Sequence, residues 1–89
     1  MHRVGHWLGL DVHDVGGYEK EGKIRSYKNG MITTIEPGIY ISQKENVPDK
    51  FKGIGIRIED DVLIENDKPK VLSSAIKEID DIQHLMASK

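Results

Sequence analysis

Cysteine is absent from this chain of 89 residues. No disulfide can close a loop, which fits a reducing compartment and places the expected location in the cytoplasm. Long apolar runs are absent too, since nothing approaches the ~20 consecutive residues of a membrane span. The polar, glycine-containing start has no leader character. An excess of one charge is also missing: 13 Lys and Arg stand against 15 Asp and Glu, a net of −2. The lysines are dispersed, so the chain has no strong pull on nucleic acid or on an anionic membrane. There is no internal repeat and no low-complexity tract. The length allows one small domain, and a domain of this size is marginal without a staple. The staples that remain are a metal, a partner chain or the rest of a larger protein.

What is present is mostly strand-like. "GLDVHDV" alternates Leu10 and Val12 with Asp11 and His13, a period of two that ends at Gly16-Gly17. Residues 18–30 are polar and read as an exposed connection closing in an Asn-Gly turn. "MITTIEPGIYI" is β-branched and reads as a strand interrupted at Pro37-Gly38. Residues 43–53 read as a loop. In "IGIRIEDDVLIE", the clearest strand signal, Ile54, Ile56 and Ile58 share one face while Gly55, Arg57 and Glu59 share the other. "NDKP" reads as a turn and "KVLSS" as a short last strand. In the tail, Ile79, Ile82 and Leu85 or Met86 make one helical stripe. The fold class is α+β, dominated by strands, with a helix at the C-terminus.

Chemistry concentrates in three places. "HRVGHWLGLDVHD" holds three of the four histidines, His2, His6 and His13. Glu36 stands before Pro37, which biases it towards an extended backbone. Glu59 lies opposite a row of isoleucines, where an unpaired buried carboxylate costs several kcal/mol. A metal or an arginine resolves that cost. Arg57 lies on the same side, roughly 6.6 Å along the strand. Imidazole with carboxylate is a ligand set for Mn, Fe, Co or Zn. The plain alternative is that the histidines serve packing or the surface and that Glu36 and Glu59 are solvated edge residues. Asp60-Asp61 read as a solvated turn or strand end, and His84 as a residue of the terminal helix. Gly16-Gly17 lacks the spacing of a phosphate loop.

These blocks resemble a known family. "HRVGHWLGLDVHD", "TTIEPGIYI" and "GIGIRIEDDVLI" occur in the order found in Xaa-Pro aminopeptidases (aminopeptidase P) and prolidases. Those enzymes form the proline-directed branch of the pita-bread metallopeptidases. "ENVPDKFKGIGIRIEDD" and "SSAIKEIDDIQHLM" resemble bacterial aminopeptidase P in particular, with prolidase the alternative. The resemblance spans essentially the whole chain. It implies the C-terminal portion of the pita-bread fold, with mostly curved antiparallel strands and a C-terminal helix.

It also implies a complete site of two divalent metals, manganese by preference and cobalt or zinc as alternatives, held by two aspartates, a histidine and two glutamates. By the match, His6, Glu36 and Glu59 are metal ligands, and Glu36 is also the general base. His13 holds substrate near the scissile bond, His2 lies near the substrate pocket, and Arg57 pairs with an active-site carboxylate. The implied reaction releases the N-terminal residue of peptides with proline in second place. The two aspartate ligands precede the histidine block in the family and have no counterpart here. The chain therefore reads as residues 1–89 of a catalytic domain whose aspartate-bearing half and N-terminal domain are absent. Alone it is expected to be inactive, with homo-oligomers or the missing part as partners. The alternative function is that of an inactive fragment that binds metal weakly or pairs with the other half.

Overall fold

The computed structural model describes residues 4–88. It contains seven short strands and one helix: β1 (Glu19–Lys20), β2 (Lys23–Ile24), β3 (Ile32–Ile35), β4 (Gly38–Tyr40), β5 (Gly55–Arg57), β6 (Asp60–Glu65), β7 (Lys68–Val71) and α1 (Ile79–Ala87). All pairings are antiparallel. β6 lies between β3 and β7, β4 pairs with β5, and β1 pairs with β2 in a separate hairpin.

The two larger pairings belong to one long ribbon. Ile35 pairs with Asp60 on one side of a break, and Gly38 with Arg57 on the other. The register is continuous across it, so Glu36 falls opposite Glu59 and Pro37 opposite Ile58. Pro37 has no N–H to give to the ladder, and the break sits there. One bond still crosses it, from Ile58 N–H to the Pro37 carbonyl at 3.2 Å.

Residues 4–8 run antiparallel along the other edge of β3. Leu8 N–H donates to Ile32 O at 3.1 Å, and Thr34 N–H to His6 O at 2.9 Å. Trp7 forms a bridge to Thr33. Directly opposed residues share a face. One face therefore carries His6, Thr34 and Asp61, continued by Glu36, Glu59 and Arg57. The other carries Trp7, Thr33, Val62 and Val71.

Several expectations hold, and some do not. β3, the interruption at Pro37-Gly38, β4 and α1 lie where the patterns place them, and residues 43–53 form a loop with one 3-10 turn, Asp49–Phe51. "GLDVHDV" is not a strand. Asp14 N–H bonds back to Trp7 O at 3.1 Å, so the chain folds over at Gly9 and offers no partner edge. Leu10 and Val12 are left exposed. The connection 18–30 contains the hairpin β1–β2, turned by Glu21 and Gly22 with φ of 54° and 75°. The clear strand at 54–65 is two strands. The "NDKP" turn shrinks to Asn66 and Asp67, and Pro69 enters β7, an edge strand that spares its missing donor. Asp60 and Asp61 form the start of β6, the strand-end alternative, but both are half-buried rather than solvated.

The interior is small. Among the described residues the buried side chains are Val62, Thr33 and Thr34. Ile39, Ile54, Ile56, Ile58, Ile79, Leu85 and Met86 are exposed. The Cα radius of gyration is 16.9 Å, against about 12 Å for a compact chain of this length.

Candidate metal centre

The polar face of the ribbon brings four of the singled-out side chains together. His6 is held at three points. Its N–H donates to Thr34 Oγ1 at 3.0 Å, its Nδ1 lies 3.0 Å from the Trp7 carbonyl, and its Nε2 lies 3.1 Å from Glu36 Oε2. The His13 ring packs on the His6 ring, with centroids 4.5 Å apart. The fold-back at Gly9 makes this contact, although the two residues are seven apart. Both the His6 and Glu36 side chains are largely shielded, at 19% and 16% exposure.

Arg57 braces Glu36 from the other strand. Its Nη1 donates to the Glu36 carbonyl and lies 3.8 Å from Glu36 Oε1. Its Nε donates to the Tyr40 hydroxyl at 2.8 Å, and the guanidinium lies over the Tyr40 ring. Gly38 makes the room, because a Cβ there would lie 3.1 Å from Arg57 Cζ. The arginine thus serves Glu36 across the ribbon.

Glu59 is exposed. Its carboxyl pKa is raised above the ordinary glutamate value. The main cause is the hydrogen bond with Asp61, followed by partial desolvation and the charges of Glu36 and Asp61, with His6 pulling the other way. Asp61 Oδ1 is buried with no hydrogen-bond partner among the described residues. The expected ligand trio is therefore incompletely gathered. His6 and Glu36 touch, while Glu59 stands opposite Glu36 in the register and stays outside that contact. No three metal-binding side chains converge among the described residues. His2 lies outside the described residues.

The donor chemistry fits a cation. A neutral His6 that donates from Nδ1 to Trp7 O leaves its Nε2 lone pair facing a carboxylate. Two acceptors 3.1 Å apart need a positive charge on or between them. His6 and Glu36 would hold a divalent ion there, with the Trp7 carbonyl orienting the ring as for a ligand histidine. Its charge would offset the like charges of Glu36, Glu59 and Asp61.

Sequence reasoning missed Tyr40, Thr34 and Asp61. Their signal was parity: Thr34 and Tyr40 alternate with Glu36, and Asp61 with Glu59, so all lie on the polar face.

A curved antiparallel ribbon presenting histidine and carboxylates on one face is the frame of a metallohydrolase. Residues 1–66 match the family description "Metallopeptidase family M24". The chain belongs to that family. It is 55% identical over 87 residues to an Xaa-Pro aminopeptidase of Haemophilus influenzae, covering 97% of this chain and 20% of that one. It superposes on an aminopeptidase from Pseudomonas aeruginosa with a TM-score of 0.92 at 48% identity, over 98% of this chain and 20% of that one. On proline aminopeptidase P II from Yersinia pestis the TM-score is 0.91 at 48% identity, over 100% and 21%. The chain spans about a fifth of the length of these relatives. No helix among the described residues is long and apolar enough to cross a membrane.

Proposed function

We propose that this chain is the C-terminal part of the catalytic domain of an Xaa-Pro aminopeptidase. In this reading it supplies three of five ligands to a two-metal site of manganese preference and acts in the cytoplasm on peptides with proline in second place. The observation that carries the reading is the contact of His6 Nε2 with Glu36 Oε2, braced by Trp7 on one side and Arg57 on the other.

When bound, divalent ions would supply a nucleophile at neutral pH by lowering the pKa of water to ~7. The chain's own residues do the rest. His6, Glu36 and Glu59 hold the ions. Glu36 takes the proton of the attacking water and delivers it to the proline nitrogen as the peptide bond breaks. Arg57 fixes the Glu36 carboxylate in position. His13, seated on His6, orients the carbonyl before proline and stabilises its developing negative charge. His2 belongs by resemblance to the substrate pocket.

The reading requires the two aspartates that the family places upstream. The apolar face of Ile39, Ile56 and Ile58 and the stripe of α1 suit a covering partner, either the upstream half or a second copy. A second reading, an inactive fragment with one weak metal site, draws support from the exposure of Glu59 outside the His6–Glu36 contact. A peptidase assay with Mn²⁺ on an Xaa-Pro peptide, with and without an added upstream half, separates the two. Release of the first residue only in the mixture supports the first reading. Silence of the mixture, with both parts folded and associated, supports the second. Preference for a dipeptide with C-terminal proline over longer peptides redirects the specificity to prolidase.

A further inference from the structure

Two exposed turns lock together at the end of the sheet remote from the metal face. Asn29 Nδ2 donates to Asp67 Oδ1 at 3.2 Å, and the Asp67 N–H donates to Asn29 Oδ1 at 2.8 Å. The next residue, Gly30, has φ of +89° and donates its N–H to the Ile64 carbonyl at 2.8 Å. Asn29, Gly30 and Asp67 are all exposed to water. An asparagine followed by glycine is open to attack by the following backbone nitrogen, because glycine has no side chain to obstruct the approach.

We propose that Asn29 is a deamidation site, and that its bonds to Asp67, with that of Gly30 to Ile64, form the gate that keeps it closed in the folded chain. The Gly30 nitrogen loses its proton to hydroxide and attacks Asn29 Cγ. A new C–N bond forms, the Cγ–Nδ2 bond breaks, and Nδ2 leaves with a proton as ammonia. Water then opens the five-membered ring. Cleavage at the former side-chain carbonyl gives aspartate, and cleavage at the main-chain carbonyl gives isoaspartate. In the folded chain both ends of this reaction are engaged: the Gly30 N–H is bonded, and both polar atoms of the Asn29 amide are held. Reaction follows local opening, as amide exchange does.

The change does not reverse itself. A carboxylate at position 29 loses the Nδ2 donor and faces the Asp67 carboxylate, a like-charge pair where a bonded pair stood. Isoaspartate also lengthens the main chain by one methylene, two residues before Met31, whose carbonyl accepts from Ile64 N–H at 2.9 Å. Deamidation thus releases the 29–31 segment from the β6–β7 turn and loosens the lower end of the sheet.

The test is incubation of the 89-residue chain at mildly alkaline pH, with intact-mass and peptide analysis for a gain of one dalton at Asn29. The folded wild type is expected to convert severalfold more slowly than the same chain in urea. Asp67→Gly suits the left-handed backbone at φ 60° and removes the side-chain acceptor, so it converts faster than wild type when folded and equally in urea. Asp67→Asn keeps an acceptor oxygen and stays slow. Conversion of the folded wild type at the urea rate overturns the gate, and no conversion at Asn29 in urea overturns the site. If Asp67→Gly shows no native circular dichroism, exchange of the Gly30 amide in the wild type decides. Deamidation that tracks that opening rate supports the proposal, and deamidation independent of it refutes it.

Discussion

His6 answers to three neighbours at once, and each fixes something different. Thr34 fixes its backbone, the Trp7 carbonyl its ring, and Glu36 its chemistry. A manganese titration of the isolated chain should therefore show at most one weak site. An ion held by two ligands with Glu59 in reserve lacks the closed shell that makes binding tight, and the ring must be neutral to bind. His6→Ala should abolish the binding heat. His13→Ala should leave it nearly unchanged, because His13 packs at a tilt against the ring without entering the contact with Glu36. Two tight sites would overturn the expectation of one weak site, and metal lost with His13 and kept without His6 would reverse the roles. In the reconstituted enzyme Glu36→Gln should lower kcat by about 10²–10⁴-fold, with a smaller change in KM, since proton transfer is exercised in the transition state. Parallel loss of structure in all three variants by circular dichroism would instead make them packing residues.

At the level of elements, the site exists because the ribbon keeps its register while its ladder breaks. Pro37 was legible as an interruption of one strand. That Ile58-Glu59 would break with it was not, because alternation along 54–65 continues unbroken through the gap and only the pairing partner reveals it. The ligand trio was implied by resemblance alone, and of its members the fold brings His6 and Glu36 into contact; parity made legible the shared side of Arg57 and Glu59. The packing of His13 on His6 was not legible, because a fold-back at Gly9 leaves no periodic trace. Asp60 was legible as a strand end but not as a partnered one, since its partners lie beyond β7. Its carboxylate accepts from Lys77 Nζ at 2.8 and 2.6 Å and from Ser73 Oγ at 3.0 Å. These bonds hold the segment before α1 against β6. Lys77 is the principal cause that keeps the Asp60 pKa below its ordinary value, with Ser73 adding to it. A depressed carboxylate contributes stability that is present above its unfolded pKa and lost as pH falls through the lower folded one. Segment 72–78 should therefore detach on acidification below the ordinary aspartate range of about 3.9. Glu59 has the opposite sign: its raised pKa makes it take up a proton at milder acidity, and its contribution falls as pH rises. Carbon-detected NMR titration of both carboxyls checks this. Lys77→Met should return Asp60 towards its ordinary value and leave Glu59 in place, whereas an unchanged Asp60 would remove the clamp.

At the scale of the whole molecule, the surface is too large for its mass. The accessible area is 7816 Å² for 10.1 kDa, where a compact monomer of that mass exposes about 5,300 Å². The excess is roughly 2,500 Å², within the range buried by obligate interfaces. Part of the exposed apolar surface is gathered in one place: Ile56, Ile58, Ile76, Ile79 and Ile82 line a groove of about 390 Å³ between the ribbon and α1. Exposed apolar surface, when contiguous, favours association. The isolated chain should bind a hydrophobic dye, sediment as concentration-dependent oligomers and melt without a sharp transition. Replacing Ile56 and Ile79 by Gln should reduce both dye binding and self-association, because it breaks the groove from both of its walls. It should also weaken capture of an added upstream half in pull-down, because the same face would dock it. A variant that loses self-association yet binds the upstream half at wild-type strength would show that the groove serves copies of this chain alone. A sharply melting, dye-silent monomer of the wild type would show that the ribbon needs no cover at all.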